Sequence, residues 1–397
     1  MTKRRVIIWG VDDYNVMGLF RQLGGRNLEI DFLVFQGIHN CATQSKYCGK
    51  VHVTPTLSDG LDYLLKTYCE EKEKPVILNS NDLIAEFLDH HQEELEKYFI
   101  VPKTSKAGSL QCIDDKSEMS KLAERLGFLI PRSKYCTSKT DISDVEYPCL
   151  LKPNHQTEGK YNEFKFKVCK NAGQLKRTLR FVRKESSFIL QQYIPKEKVA
   201  LVYGCRLLSG KIILAGVLEK DRFCDNGDGS HGVLMSDYPS YIDPKLIESI
   251  ITEVDFYGLF SVEYLVYKGK AFFIEVNWRN DGTSHLFYQA GANIPLVWVY
   301  DAMGVKTDEV STHVVDKAYF LDELFDEQNI KKGIISREQW EKENEEATIR
   351  KYYDPEDLGP YEAMKKGKRK KLIVDSLVAK NRIYIVWILN KLGLKRK

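Results

Sequence analysis

Apolar runs of strand length alternate with amphipathic stretches over the first hundred residues. One amphipathic stretch, "DGLDYLLKTYCEEKE", carries Leu61, Leu64, Leu65 and Tyr68 at the i, i+3, i+4, i+7 spacing of a helix face. The strand-like runs around it are "RRVIIWG", "LEIDFLVFQG", "KVHVTP" and "KPVILNSND". Strands that alternate with helices predict a parallel sheet with helices on its faces.

The turn after the first run, "GVDDYNVMG", has the position of a dinucleotide-binding loop but not its glycines. Only Gly10 and Gly18 are present, whereas that loop needs closely spaced glycines to admit a pyrophosphate, so we expect no dinucleotide site. Residues 79–82, "NSND", end the fourth run. They either line a substrate cleft at the carboxyl edge of the sheet or form a loop satisfied by its own side chains.

A helix is predicted in "DDKSEMSKLAERLG", with Asp114 as N-cap and Gly127 at its end. Lys116 would then lie at the positive end of the helix dipole, which suits a neighbouring anion such as a phosphate, although a solvated lysine also fits. Further on, "CLLKP" predicts a strand that delivers Lys152 and stops at Pro153.

The apolar run "SFILQQYIP" turns polar at Gln191 and Gln192 and continues with Tyr193 and Ile194. A strand end of this kind can bond a flat heterocycle through its backbone while apolar side chains pack on the ring. A plain sheet edge is the alternative.

The segment "GLFSVEYLVYKGKAFFIEVNWRNDG" predicts a hairpin with a three-residue loop, Lys268–Lys270. Tyr267 then faces Ala271, and Glu263 lies opposite Glu275 with their Cβ atoms within about 5.5 Å. Because side chains alternate along a strand, Glu275, Asn277 and Arg279 share one face.

Two opposed carboxylates need an explanation, because bare charges at about 5 Å repel by roughly 3 kcal/mol at an effective dielectric near 20. They could share a proton, or bind a hard divalent cation, for which carboxylate and amide oxygens are suitable ligands. They could also both point into solvent on a wet face of the sheet.

Composition favours an ordinary globular protein, with 43% hydrophobic and 29% charged residues among 397. The net charge of +3 gives no argument for nucleic acid, and no RNA- or DNA-binding module is apparent. Nine cysteines without a C-x-x-C pair, no signal peptide and no long apolar run predict reduced thiols in the cytoplasm.

The order of these elements resembles the ATP-grasp superfamily: D-K at a helix start, Y-P-x-x-x-K-P, Q-Q-Y-I-P, then a glutamate twelve residues before E-x-N-x-R. The resemblance covers about residues 1–310 and implies a multidomain α/β and α+β fold, with a Rossmann-like pre-ATP-grasp domain before the ATP-grasp fold. The implied regions are that first domain (1–105), a small lid subdomain (106–190), a large subdomain with the magnesium site (191–310) and an accessory C-terminal region (311–397).

The resemblance also assigns roles. ATP would be bound by Lys116, Lys152, Gln191, Gln192, Tyr193 and Ile194, with Glu197 at the ribose. One or two Mg²⁺ ions, with Mn²⁺ as a substitute, would be held by Glu263, Glu275 and Asn277. Arg279 would face the transferred phosphoryl group. The expected lid, "NHQTEGKYNEFKFKV", has only Gly159 where the family is rich in Gly and Ser. Either the lid is stiffer or it uses Thr157 and Lys160 instead, and an inactive relative is the further alternative.

The implied activity is that of a carboxylate–amine ligase, similar to D-aspartate ligase-like and short carbamoyl-phosphate-synthase-like proteins. ATP would convert a carboxylate into an acyl phosphate, which an amine attacks to give an amide, ADP and phosphate. Small or lipid-linked substrates and a role in cell-envelope or polysaccharide synthesis are expectations of that branch. The alternatives are another acceptor, of the carbamoyl phosphate or peptide type, and a non-catalytic nucleotide-binding scaffold.

Substrate-side candidates follow from charge and position. Lys220 and Arg222 suit an anionic carboxylate and complete the catalytic set with Arg279. The further substrate candidates are Ser230, His231, Asp281, Ser284 and His285. Either histidine could take the proton of an ammonium nucleophile.

The C-terminal region is predicted to be helical, with a break at Asp354–Pro355. Six of the seven residues 365–371 are basic, and an apolar stretch with Trp387 follows. Residues 365–397 therefore predict either peripheral contact with the inner face of a membrane or a helix docked on the body. A homodimer is compatible with the sequence.

Overall fold

The computed structural model describes residues 3–113, 116–137, 139–153, 167–180, 187–225 and 227–368. Within these ranges the chain forms an N-terminal parallel sheet, a small antiparallel sheet and a large mixed sheet. The mixed α/β and α+β architecture predicted from the sequence is confirmed.

The N-terminal region alternates strands and helices as its hydrophobic pattern predicts. Its elements are β1 (Arg4–Gly10), α1 (Tyr14–Leu23), β2 (Leu28–Phe35), a 3-10 turn (Ala42–Gln44), β3 (Val51–Thr54), α2 (Leu57–Tyr68), β4 (Val76–Asn79), α3 (Asp82–His90) and α4 (Gln92–Leu95). The strands pair in parallel in the order β3-β2-β1-β4. Helix α2 begins with a capping box between Thr56 and Asp59 and buries Leu64 and Tyr68.

Three short elements connect this sheet to the rest: β5 (Lys103–Thr104), α5 (Ser109–Ile113) and α6 (Lys116–Leu126). Helix α6 is the predicted one, and Met119 on its apolar stripe is buried. It ends at Gly127, whose φ of +98° favours glycine. The predicted N-cap, Asp114, lies outside the described residues.

The small sheet consists of β6 (Ser133–Cys136), β7 (Cys149–Pro153), β8 (Lys167–Cys169) and β9 (Phe188–Gln192), with α7 (Ala172–Leu179) beside it. The strands are antiparallel in the order β6-β9-β7-β8. Lys152 and Gln191 therefore come from neighbouring strands. The predicted lid residues Thr157 and Lys160 lie outside the described residues.

The large sheet and its helices follow: β10 (Lys198–Arg206), β11 (Ile212–Phe223), β12 (Gly229–Met235), α8 (Pro244–Val254), β13 (Phe256–Tyr267), β14 (Lys270–Asn277), α9 (Ser284–Gln289) and α10 (Ile294–Ala302). The next elements are β15 (Ala318–Leu321), α11 (Gln328–Lys331), α12 (Arg337–Glu346) and β16 (Ile349–Arg350), and residues 358–368 are helical. The strand order is β14-β13-β10-β11-β12-β15-β16, and β5 also pairs with β13.

The C-terminal region contains helices, as the sequence predicts, but it also adds two strands that the sequence analysis did not predict. Strand β15 pairs with β12, and β16 adds the last strand in parallel. These strands are too short for their alternation to show in the sequence, and their partners are distant in the chain. The region completes the large sheet.

One hydrophobic core joins the N-terminal and large sheets. Val16 and Phe20 of α1 belong to the same buried cluster as Phe287 of α9 and Trp298 of α10. The small sheet has a separate core, formed by residues such as Leu151 and its neighbours. Over the described residues, no helix combines the length and apolar character needed to cross a membrane.

Candidate active site

The hairpin of β13 and β14 brings the two glutamates together, but not through the predicted loop. Tyr267 pairs with Lys270, so the turn contains only Lys268 and Gly269, both with positive φ. A bulge at residue 274 then absorbs one residue, and Glu263 pairs with Glu275 as predicted. Two deviations of one residue each cancel, so the opposed glutamates are confirmed.

Asn277 and Arg279 follow Glu275 along the chain, and Arg279 links the hairpin to the N-terminal domain. The Asn277 side chain donates to Ser261 Oγ at 3.1 Å and accepts from Arg279 Nη2 at 3.0 Å. Arg279 Nε donates to Asp82 Oδ1 at 2.7 Å. Burial alone would lower the pKa of Arg279, but Asp82 and Asp281 outweigh it and raise the pKa, so the guanidinium stays charged.

A cleft of about 820 Å³ lies between the small sheet, the large sheet and the N-terminal domain. Most of the predicted site residues line it: Lys152, Gln191, Tyr193, Ile194, Lys220, Glu263, Glu275, Asn277, Arg279, Asp281 and His285. Residues separated by more than a hundred positions in the chain therefore face one volume.

The small-sheet end of the cleft combines one cation with apolar walls. Lys152 Nζ donates to Gln191 Oε1 at 2.7 Å. The apolar lining comes from both sheets: Leu150, Val168, Ile194, Val199, Leu265 and Phe273. A flat heterocycle fits between such walls, and a phosphate fits beside the ammonium group.

We expect Lys152→Ala to weaken ATP binding by about 1.5–3 kcal/mol, the range for hydrogen bonds to charged groups. Isothermal titration calorimetry with ATP and Mg²⁺ measures this directly. Lys134→Ala is the matched control, because Lys134 lies on the same small sheet, pairs with Asp144 and does not line the cleft. Equal affinity for the Lys152 variant and wild type would contradict the nucleotide assignment.

Two further cations, Lys220 and Lys196, line the cleft on the side of the large sheet. Lys220 is buried, and its Nζ lies 3.3 Å from Glu263 Oε1. Burial alone would lower the pKa of Lys220, but Glu263 and Asp281 raise it. Lys196 lies 3.4 Å from the Phe223 ring centroid, and burial lowers its pKa. Nothing in the sequence pattern distinguished Lys196 from other lysines.

Several predicted residues do not line the cleft. Gln192 instead accepts a bond from the Arg132 backbone at 3.3 Å, and the Glu197 carboxylate accepts one from the Lys268 backbone at 2.9 Å. Glu197 therefore stabilises the hairpin turn and is not among the described residues that line the cleft. The Lys116 side chain lies outside the described residues.

Arg222, Ser230 and His231 are not among the residues that line the cleft, and Arg222 and Ser230 bond to the C-terminal region. Arg222 forms a two-bond pair with Asp326, at 2.8 and 2.7 Å, and reaches Glu343 at 2.7 Å. His231 Nδ1 lies 2.7 Å from Asp221. Ser230 Oγ accepts from Asn329 at 3.3 Å. Charge and position made these residues substrate candidates because their long-range partners are invisible in the sequence.

His285 lines the cleft, but its hydrogen bonds rule out the predicted role as proton acceptor at Nε2. Arg21 Nη1 lies 3.2 Å from that nitrogen and can only donate, so Nε2 accepts and the proton resides on Nδ1. Burial and the Arg21 charge lower the pKa of His285 well below its ordinary value. Ser284 is likewise occupied, by Gln22 at 3.1 Å and Asn280 at 3.0 Å.

The N-terminal domain contributes more to the site than the sequence predicted. Ser80 from the "NSND" stretch lines the cleft, in agreement with one of its two interpretations, and Asp82 holds Arg279. Asn15 donates to the Ser80 and Asn280 carbonyls at 3.2 and 3.0 Å. Asp13 also lines the cleft, at the start of α1. Asp13 and Asn15 belong to the polar turn "GVDDYN", which the sequence analysis considered only as a dinucleotide-binding loop.

The donor set fits magnesium. Glu263, Glu275 and Asn277 offer only oxygen atoms, and the two carboxylates are directly opposed. Over the described part of the chain no three or more His, Cys, Asp or Glu side chains group into a complete metal cage. Mg²⁺ suits such a partial set, because it is usually held by one or two carboxylates together with substrate phosphates.

The architecture and the site define the chain as a protein of ATP-grasp fold. It is similar to the N5-carboxyaminoimidazole ribonucleotide synthetases from Staphylococcus aureus (TM-score 0.64, 13% identity, 84% of this chain and 86% of that one) and Thermus thermophilus (TM-score 0.62, 14% identity, 79% and 82%). It is also similar to the L-amino acid ligase from Bacillus licheniformis (TM-score 0.61, 12% identity, 80% and 79%).

Among curated proteins, the chain is similar to two formate-dependent phosphoribosylglycinamide formyltransferases. The protein from Sulfurisphaera tokodaii is 24% identical over 233 residues, 55% of this chain and 57% of that protein. The protein from Sulfolobus acidocaldarius is 23% identical over 258 residues, 60% and 63%. The chain thus spans about three fifths of the length of these relatives. No family model matches the sequence.

Proposed function

We propose that this protein is an ATP-dependent ligase that activates a carboxylate as an acyl phosphate and joins it to an amine, releasing ADP and phosphate. The observation that carries the proposal is the opposed pair Glu263–Glu275, which faces the same cleft as Lys152 and Arg279. Metal ligands, a phosphate-binding cation and a cation beside the reacting group are the parts that phosphoryl transfer requires.

In the activation step, Lys152 holds the nucleotide phosphates at the small-sheet end. Arg279, fixed by Asp82 and Asn277, neutralises charge on the moving phosphoryl group, and Lys220 orients the carboxylate. Glu263, Glu275 and Asn277 would hold Mg²⁺, whose positive charge would neutralise charge on the phosphates.

The acceptor would extend into a second cavity of about 1030 Å³, which shares Tyr14, Asp228 and Lys351 with the cleft. This cavity lies between the N-terminal domain and the helical residues 358–368. Lys351 lies 3.3 Å from Asp322 and 3.7 Å from Asp228. The curated relatives are named for a phosphoribosyl amine, so small metabolites of nucleotide synthesis are the first substrates to test.

The test is ADP release from the purified protein with ATP, Mg²⁺ and three substrate sets, with products identified by mass spectrometry. The sets are formate with phosphoribosylglycinamide, bicarbonate with aminoimidazole ribonucleotide, and pairs of L-amino acids. We expect one set to give stoichiometric ADP and amide or carbamate. ATP binding without any substrate-dependent ADP would instead favour the nucleotide-binding scaffold.

The finer predictions from the sequence receive less support. The named relatives favour nucleotide-precursor chemistry over cell-envelope synthesis and lipid-linked substrates. Residues 369–397, which carry most of the predicted membrane-contact segment, lie outside the described residues. Peripheral membrane contact and a homodimer stay predictions.

A further inference from the structure

The proposed reaction needs a group that takes a proton from the attacking ammonium, and neither predicted histidine serves. We infer that Asp13, from the N-terminal domain, is the general base for the acceptor amine. The inference rests on the proposed function and deepens it. Asp13 caps α1 and lines the cleft that also holds Arg279 and Asp281.

The other carboxylates that line the cleft are already engaged. Glu263 and Glu275 form the metal pair, Asp225 pairs with Lys332, and Asp228 lies beside Lys351. The fifth of these carboxylates is Asp281, which is held by several hydrogen bonds.

Asp281 accepts bonds from Thr283 N at 2.8 Å and Thr283 Oγ1 at 2.5 Å, and from Ser261 Oγ at 3.0 Å. Burial alone would raise the pKa of Asp281, but Lys220 and Arg279 hold it below its ordinary value. A carboxylate stabilised this strongly in its ionised form is a weak base.

Asp13 differs in its hydrogen bonding. Both bonds that it accepts, from Asn15 N at 3.0 Å and Val16 N at 3.3 Å, go to Oδ1. Across the described ranges no hydrogen bond to Oδ2 is formed, so that oxygen can meet a ligand. The backbone bonds fix the carboxylate at the helix start, where a general base needs a defined position.

The position of Asp13 suits attack at the activated carbon. The loop after β14 packs directly on the first turn of α1: Gly282 is so close that an added Cβ would lie 2.4 Å from the Tyr14 ring, and Asn280 bonds Asn15. Arg279 and Asp13 therefore meet the cleft from two facing elements. An amine arriving from the second cavity passes Tyr14, the residue next to Asp13.

Electrostatics agrees with this geometry. Burial raises the pKa of Asp13 to about 6, against the lowering effects of its two backbone bonds and Arg279. The charged and titratable groups facing it are Asp12 and Tyr14 on its own turn, Arg279 from the loop after β14, and Cys41 from the segment beside the 3-10 turn. A base with a pKa near the working pH is efficient.

In the attack of the amine on the acyl phosphate, the nitrogen loses two protons to two different acceptors. The ammonium gives one proton to Asp13, and the free amine forms a C–N bond at the carbonyl carbon of the acyl phosphate. The C–O bond to the phosphoryl group breaks, and phosphate leaves with the second proton of the nitrogen as hydrogenphosphate. Asp13 then returns its proton to solvent. The sum is carboxylate, ATP and ammonium converted to amide, ADP, hydrogenphosphate and one proton.

The test compares two nucleophiles of similar size in wild type and Asp13→Asn, with ATP, Mg²⁺ and either formate or an L-amino acid as carboxylate. Methylamine is protonated at neutral pH and needs the base, whereas hydroxylamine is largely unprotonated and does not. We expect the variant to form hydroxamate at about the wild-type rate and methylamide roughly 10²–10⁴-fold more slowly. Asparagine caps helices as well as aspartate, so α1 is retained.

A pH profile adds a readout that a structural role would not change. Wild-type methylamide formation should rise as the pH passes through the Asp13 pKa of about 6, because the base must be ionised, and the variant should lack this limb. Asp13→Glu should restore part of the rate. Asp243→Asn is the matched control, since Asp243 also caps a helix, bonding Lys245 N at 2.9 Å, and does not line the cleft.

Each other outcome removes a defined part of the proposal. Equal losses of rate with both nucleophiles would make Asp13 a structural residue. An unchanged rate of methylamide formation in the variant would exclude Asp13 as the base. So would a wild-type enzyme that forms hydroxamate but no methylamide. No hydroxamate and no ADP from wild type with any carboxylate would remove the proposed ligase function, and the inference with it.

Discussion

Glu275→Gln should lower kcat/KM for ADP formation by roughly 10³-fold, because it removes the charge of a proposed metal ligand, whose contribution would amount to several kcal/mol of transition-state stabilisation. The fold should survive. Glu275 is exposed in the cleft and opposes Glu263, so without Mg²⁺ the loss of one of two like charges should raise the melting temperature. A coupled ADP assay and a thermal melt with and without Mg²⁺ measure both effects.

Glu248→Gln provides the control, because it removes an exposed carboxylate from α8 that does not line the cleft. Its turnover and its response to Mg²⁺ should match wild type. Near-normal ADP production by the Glu275 variant would show that the opposed glutamates do not bind the metal. Loss of activity together with loss of the thermal transition would show a structural role instead.

Arg21→Met should destabilise the protein by about 3–5 kcal/mol, the range for breaking a buried ion pair. Arg21 Nε lies 3.0 Å from Asp357 Oδ2, and both side chains are 1% exposed. The guanidinium also bonds the Tyr352 and Asp357 carbonyls at 2.9 and 2.8 Å. Its removal leaves two buried carbonyls without this donor, and it leaves the Asp357 carboxylate without its counter-ion, with only the bonds from Ser45 Oγ and the Lys46 backbone among the described residues. Urea denaturation measures the difference.

Arg125→Met is the contrasting control. Arg125 pairs with Glu253 at 2.7 Å, but the two side chains are 61% and 47% exposed, so its loss should cost at most about 1 kcal/mol. The double variant Arg21→Met, Asp357→Leu should recover part of the stability, because no unpaired charge is left inside. Equal costs for Arg21 and Arg125 would refute the buried pair.

The local part of the site was predictable because it is built from a periodic pattern. Alternation along the two strands predicts that Glu263 and Glu275 share a face, whereas the turn length was wrong and the bulge was not predicted. The turn and the bulge involve Lys268, Gly269 and residue 274, whose conformations depend on a balance of backbone preferences that alternation does not report.

The parts that failed depend on contacts between distant segments. In the sequence, Arg222 has the features of a substrate-binding cation. In the structure, it pairs with Asp326 and Glu343 of the C-terminal region. His285 has the features of a base until Arg21 donates to it. Asp13 went unnoticed because the loop that packs on its turn, at Gly282, lies more than two hundred residues later in the chain. Local sequence preferences do not report these contacts between distant segments.

The Arg21–Asp357 pair has a mechanical consequence. It connects the segment around Asp357 to the first domain. The shared core around Phe20 and Trp298 packs that domain against the large sheet. The small sheet keeps its own core and is entered at β6 and left at β9. Within the described residues, the first domain and the large sheet thus share one core, and the small sheet is packed as a separate unit. Asp13, Arg279, Glu263 and Glu275 all come from the parts that share this core, whereas Lys152 and Gln191 come from the small sheet, so the distance between these two groups depends on how the small sheet sits on the rest.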